Sequence, residues 1–250
     1  MIFNRLFLFI AILLLGTGLY NCSQPEWESL FNGENLEGWS VKCLPADKGK
    51  EYWSVTEGCI ECNSMGDKEH NYVWLASDRE FEDFHLKLNF QVFRESGGNS
   101  GVQFRSSYDQ SDSATYGGWL NGPQVDIHGL APFRTGLIYD ETDGVRRWIH
   151  PSLPDWNITP EQSPETALET RLGYFEDDPE AWNSIEIICE GMMVRTLVND
   201  NLVSEYNGDG ILNDEVHKIR KSGESGCIAF QLHMNDELKI RFKDIFIKEL

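Results

Sequence analysis

The stretch "FHLKLNFQVF", Phe84–Phe93, decides the class of fold. Leu86, Leu88, Phe90 and Val92 fall on one side, and His85, Lys87, Asn89 and Gln91 on the other. That two-residue period belongs to a half-buried β-strand, not to a helix. The same alternation recurs outward along the chain. "GVQFRS" sets Val102 and Phe104 against Gln103 and Arg105. "NGPQVDIHG", Asn121–Gly129, sets Val125 and Ile127 against Gln124, Asp126 and His128. "CIAFQLHM" sets Ile228, Phe230 and Leu232 against Ala229, Gln231 and His233. "SIEIICEGMMVRTLVNDNLVSEY" reads as strands broken at Glu190–Gly191 and at Asn199–Asn201. The closing "LKIRFKDIFIKEL" turns Leu238, Ile240 and Phe242 inward, then Ile245 and Ile247 after a register change. With no long amphipathic helix, the pattern predicts an all-β, antiparallel β-sandwich.

The 250 residues carry a formal net charge of -20, with 41 acidic residues against 21 Lys and Arg. No basic run follows the first residues, so nucleic acid is excluded as a partner. The N-terminus reads differently. "MIFNRLFLFIAILLLGTGLYNC" has Arg5, an apolar run from Leu6 to Leu15, small residues and Cys22. The run suits the core of a signal peptide more than a membrane span. Leu19, three residues before Cys22, fits a bacterial lipoprotein signal over residues 1–21, with lipid on Cys22. The expectation is an exported, membrane-anchored protein of the cell envelope that touches the membrane only through that anchor. Residues 22–250 form one domain.

Cys43, Cys59, Cys62, Cys189 and Cys227 remain, an odd number in a compartment that permits disulfides. The Cys59–Cys62 spacing resembles half a zinc knuckle, but no second pair follows, so buried or bridged cysteines are the better reading. From about 130 to 182 the rhythm breaks into a Pro-, Trp-, Arg- and Asp-rich insertion. Its Trp148, Trp156 and Tyr139 need something to pack on, which favours a covering or binding loop.

If the alternating strands are neighbours, their polar sides pave one face with Gln103 and Arg105, with Gln124, Asp126 and His128, and with Gln231 and His233. Lys87, Asn89 and Gln91 add a fourth row. Planar amides, imidazoles and guanidinium groups match the many hydroxyls of a carbohydrate, and Trp148 and Trp156 could stack on sugar faces.

Motifs in the same order resemble the 3-keto-disaccharide hydrolase domain family, formerly a domain of unknown function. They are "WESLFNGENLEGWS" (27–40), "YWSVTEGCIEC", "EDFHLKLNFQV", "GGNSGVQFRS", "RTGLIYDET", the "WN" of Trp182 with "EI" ending at Ile187, and the stretch from Ile228 to Ile245. The resemblance spans nearly the whole mature chain. It implies a concanavalin A-like lectin/glucanase jelly roll, action on 3-keto glycosides, and a pocket including Asn99, Arg105, Gln124, Asp126 and His233. Many members carry Glu where Gln124 stands; here the carboxylate is at Asp126.

A plain glycosidase needs two carboxylates, whereas this polar strand offers one. A ketone at C3 acidifies the hydrogen on C2, so one base can start an elimination that water then reverses to net hydrolysis. Asp126 or His128 could be the base, Arg105 could hold the enolate, and His233 could be the acid. Lys87, Asn99, Gln103, Gln124, Gln231, Trp148 and Trp156 are candidate substrate-binding residues. No cofactor is required by the sequence. A divalent metal on Asp126, His128 and His233 could replace Arg105 as the electrophile. A sugar-binding lipoprotein without turnover, built on the same face, is the alternative.

Overall fold

The computed structural model describes residues 26–111, 114–129, 133–150, 158–159 and 171–250. The signal segment 1–21, Cys22, Trp156 and most of the insertion's second half lie outside the described residues. In chain order the strands are β1 (Glu28–Ser29), β2 (Trp39–Cys43), β3 (Trp53–Thr56), β4 (Cys59–Asn63), β5 (Val73–Phe81), β6 (Phe84–Val92), β7 (Ser100–Asp109) and β8 (Trp119–Asn121). They continue as β9 (Pro123–Ile127), β10 (Ile138–Asp140), β11 (Arg147–His150), β12 (Asn183–Glu190), β13 (Met193–Val198) and β14 (Asn201–Asn207). A short helix α1 (Glu215–Arg220) precedes β15 (Gly226–Leu232) and β16 (Lys239–Glu249).

These strands form two eight-stranded sheets. One runs β14-β13-β12-β6-β16-β4-β3, with β1 paired to β16. The other runs β11-β10-β9-β7-β15-β5-β2, with β8 paired to β7. All pairings between these strands are antiparallel, so the chain is an all-β sandwich as the alternation predicts. Leu86, Leu88, Phe90 and Val92 from the first sheet meet Val102, Phe104, Val125, Ile127, Phe230 and Leu232 from the second in one core. Trp39 stacks on Phe230 at 5.2 Å, and Phe230 on Phe242 at 4.0 Å, so one aromatic column crosses both sheets. The register change expected in the last strand is a bulge at Asp244, whose φ of 52° bends β16 between Lys243 and Phe246.

The second sheet has something to bury on its outward face as well. Trp74, Ala76, Ala114, Trp119, Leu120, Cys227 and Ala229 form a smaller core there, beneath the segment leading into β8. This cover explains why Gln103, Gln124 and Gln231 are buried rather than solvated. The insertion is also less irregular than its composition suggests. It opens with the β10–β11 hairpin, which widens the second sheet past β9.

Two expectations fail here. Lys87, Asn89 and Gln91 belong to β6, in the opposite sheet, and cannot join Gln124 and Asp126. Lys87 lies over Trp27 at 4.7 Å and pairs with Glu186 at 3.7 Å, on the outside of the first sheet. Arg105 leaves the polar row because β7 bulges at that point. Its φ is 47°, and Gln103 faces Ala229 while Ser106 faces Cys227, so β7 carries one extra residue. The extra residue swings Arg105 to the end of the sandwich. There it is fully buried and donates to the carbonyls of Glu82 and Gly191, each at 2.7 Å, and to Asp83 at 2.8 Å. All five cysteines that the structure describes are free thiols, four of them buried.

Arg105 is therefore a clamp between turns of both sheets. Arg105→Met should cost about 2–4 kcal/mol of stability, because buried carbonyls lose their donor. Chemical denaturation reads the loss, and activity per folded molecule should be unchanged.

Candidate active site

A cavity of about 500 Å3 opens on the outward face of the second sheet. The strand register explains its lining. Tyr139 of β10 stands opposite Gln124 of β9, so Tyr139 and Glu141 share the side of Gln124 and Asp126. Trp148 of β11 pairs with Tyr139, and their rings meet edge to face at 5.1 Å. Asn99, His128, Arg134, Arg146, His233, Asp236, Tyr72 and Trp119 complete the lining. Gly101 makes the close packing of this floor possible, since a Cβ there would lie 2.3 Å from the Gln124 side chain.

Three carboxylates line the cavity, and each has a different environment. Asp126 is nearly fully buried, with Arg134 Nε 2.7 Å from its Oδ2. The N–H does not point along that line, so the contact is an ion pair rather than a directed hydrogen bond. Gln124 Nε2 donates to the other Asp126 oxygen at 3.4 Å. Asp236 lies 3.3 Å from His233 Nδ1 and accepts the Asn99 N–H at 2.9 Å. Burial alone would raise the Asp236 carboxyl, but His233 and the Asn99 N–H outweigh it and hold it below its ordinary value. Glu141 is buried, and its Oε1 accepts a hydrogen bond from the Gln231 amide at 3.1 Å. Burial raises its pKa, against the smaller lowering influence of Gln231, His233 and Arg146.

His233 is held at both nitrogens. Nδ1 faces Asp236 and the Met234 carbonyl, and Nε2 lies 2.9 Å from the Tyr72 hydroxyl. Burial works to lower its pKa, and Asp236 overrides burial to raise it. With Nδ1–H donating to oxygen, Nε2 accepts from Tyr72 when the ring is neutral and donates to it when the ring is protonated. Burial, then the Glu141 carboxylate, keeps the Tyr72 phenol protonated. Arg146 sits over the Trp119 ring at 4.1 Å. Its φ is 43°, and its Nε and Nη2 are buried without a hydrogen bond, with Asp143 3.6 Å from Nη2.

Of the residues singled out in the sequence, Asn99, Gln124, Asp126, His128, Trp148 and His233 meet at this cavity. Gln231 lies beneath it through Glu141, and Gln103 is turned to the Leu120 carbonyl under the β8 cover. Arg105 and Lys87 are elsewhere, and Trp156 lies outside the described residues. Among the described residues no three His, Cys, Asp or Glu side chains converge as metal ligands. Asp126, His128 and His233 do not fit as a ready ligand set, since Asp126 faces Arg134 and both His233 nitrogens are engaged. Tyr72, Trp119, Arg134, Arg146 and Asp236 are the residues missed, whereas Glu141 is one of the two insertion carboxylates, with Asp140, that the sequence offers as the base if Asp126 is not. Glu141 and Arg146 sit at the ends of a hairpin connection that read as loop, although Tyr139 and Glu141 do alternate.

The sequence profile of the 3-keto-alpha-glucoside-1,2-lyase-like domain matches residues 26–248. The chain belongs to that family. Two solved structures from Parabacteroides distasonis ATCC 8503, each described as a candidate glycosyl hydrolase, share the fold. One is 19% identical with a TM-score of 0.53, covering 90% of this chain and 94% of its own. The other is 20% identical with a TM-score of 0.53, covering 90% and 100%. A comparison with curated proteins finds no match. The family's description makes it carbohydrate-active, and its domain here contains the whole cavity.

Glu141 makes stability depend on pH. From its ordinary value of 4.5 up to its raised value, the folded protein keeps a proton that the unfolded chain has released. Stability therefore falls as pH rises through that window. Glu141→Gln should match the wild type in acid and exceed it above the window in denaturant melts at a series of pH values. A difference that does not change with pH would contradict the assignment.

Proposed function

We propose that this protein is an enzyme that cleaves 3-keto glycosides by elimination across C1 and C2, followed by addition of water. The observation that supports this reading is the unequal state of the three carboxylates. Asp126 is paired with Arg134 and Asp236 with His233, which leaves Glu141 alone on a neutral amide. The polar strand by itself offered one carboxylate; the cavity has three, but two are neutralised. A plain glycosidase needs one carboxyl group as acid and another as nucleophile or base. A 3-keto sugar needs only one base.

In this mechanism Glu141 takes the proton from C2, and the electron pair moves onto the ketone oxygen. Arg146, seated over the Trp119 ring, and Arg134 face the enolate and stabilise it. Collapse of the enolate forms the C1–C2 double bond and breaks the bond from C1 to the aglycone oxygen. That oxygen takes the Tyr72 proton, and His233 in its imidazolium form, favoured by Asp236, passes its Nε2 proton to Tyr72. Water then adds to C1, its released proton returning through Tyr72 to His233, and C2 regains a proton from Glu141. Trp148 and Tyr139 offer apolar surface for the sugar ring.

A 3-keto glucoside should be turned over while the parent glucoside is inert. Glu141→Gln should lower kcat about 100-fold or more with the fold preserved, the loss expected for a general base. Equal cleavage of parent and keto substrate would sink the elimination route in favour of a two-carboxylate glycosidase using Asp126 and Glu141. Binding of the keto sugar without conversion would leave the protein a carbohydrate-binding module.

We also infer export and lipid attachment at Cys22, supported by the apolar run Leu6–Leu15 and by Leu19. Cys22→Ser should move the protein from the membrane to the soluble fraction. A wild type without acyl mass refutes the anchor.

A further inference from the structure

A second cavity of about 290 Å3 adjoins the first, and Gly97 lines both. They also meet along the chain, where His128 borders the sugar cavity and Gly129 borders its neighbour. The second cavity lies at the end of the sandwich. Val92, Ile127, Leu238 and Ile240 form its apolar wall, with Phe93 and Tyr174 alongside. The Tyr174 segment is fixed to the edge of β6, since Phe175 N–H donates to the Val92 carbonyl at 3.1 Å.

The side-chain polar groups of this cavity each already hold a partner. Ser96 Oγ donates to the Glu237 carbonyl and accepts from Lys239 N–H, at 3.4 and 2.8 Å. Ser100 Oγ donates to the Gln231 carbonyl at 2.8 Å, and the Tyr174 hydroxyl to the Gly129 carbonyl at 2.6 Å. Arg94 is paired with Asp177, and Lys239 with Glu95. A second sugar entering here would set many of its hydroxyls against the apolar wall, and the Ser100 and Tyr174 hydroxyl protons are already given to carbonyls, at a cost for each unmade bond. An apolar group meets no such penalty. A cavity of roughly 150 Å3 lined by aliphatic and aromatic side chains stays dry and binds benzene.

We propose that this cavity is an aglycone subsite that receives a single aromatic ring or an apolar group of similar size, attached to the sugar held in the first cavity. The inference rests on the proposed function of that first cavity. It makes the physiological substrate an aryl or arylalkyl glycoside rather than a disaccharide.

The test compares the 3-keto glucosides of benzyl alcohol and methanol, whose leaving groups have similar acidity, so that KM reads binding and not departure. The full-length wild-type protein should show a KM at least about 10-fold lower for the benzyl substrate, from burial of the ring. Val92→Phe, which fills the apolar wall, should erase that advantage and leave the methyl substrate unaffected. Equal KM values in the wild type overturn the subsite while the functional reading stands. If neither substrate is converted, the functional reading falls, and the subsite is decided by free benzyl alcohol. Saturable binding seen by NMR, lost on competition with toluene, supports an apolar site; no binding ends the proposal. The competition uses wild-type protein only, so a Val92→Phe variant that fails to fold does not remove the test.

Discussion

The hydrogen bond from the Gln231 amide to Glu141 is the contact on which the candidate site depends. It brings a carboxylate from the β10–β11 connection over the middle of the second sheet, where Gln231 stands on β15. A carboxylate taken out of water survives only if its oxygens are bonded and if it tolerates a raised pKa. Gln231 meets the first condition without neutralising the charge, which an arginine in its place would do. The two outer layers of this sheet follow from the same need. Core residues hold β15 from below, and the Trp119 and Leu120 cover seals it from above.

Much of this was legible in the residues. Strict alternation in β6, β9 and β15 assigns Leu86, Val125 and Phe230 to the core and Gln124, Asp126 and Gln231 to the other side, and those assignments hold. Alternation says nothing about which sheet a strand joins. Lys87 was therefore grouped with Asp126 although β6 and β9 lie in different sheets. Nor does it announce a bulge, and one extra residue in β7 was enough to send Arg105 away from the site. Glu141 and Arg146 flank the short connection within a hairpin whose strands have three and four residues. Strands that short leave almost no periodic signal, so their contribution emerges only from pairing with β9.

The electrostatics of the cavity follow from burial acting on partners of different kinds. Asp126 and Asp236 each face a cation, and the latter is held charged against burial. Glu141 faces an amide and is pushed the other way. Separate environments for chemically similar groups are how one site assigns acid and base roles. The Tyr72–His233–Asp236 line adds a proton path whose members lock each other's orientation.

The pairing of Glu141 with Gln231 joins residues 90 positions apart. Its neighbour Asp140, pointing the opposite way, is tied to His217 at a separation of 77. Closing loops of that length carries an entropic cost that must be met before any contact rewards it, and such non-local pairings make folding slow. Asp140 at the end of β10 and Glu141 just beyond it reach their places only after α1 and β15 have been added. A chain with only its earlier strands paired thus has its sheets begun but no assembled cavity, and the candidate site is complete only once β15 is in place.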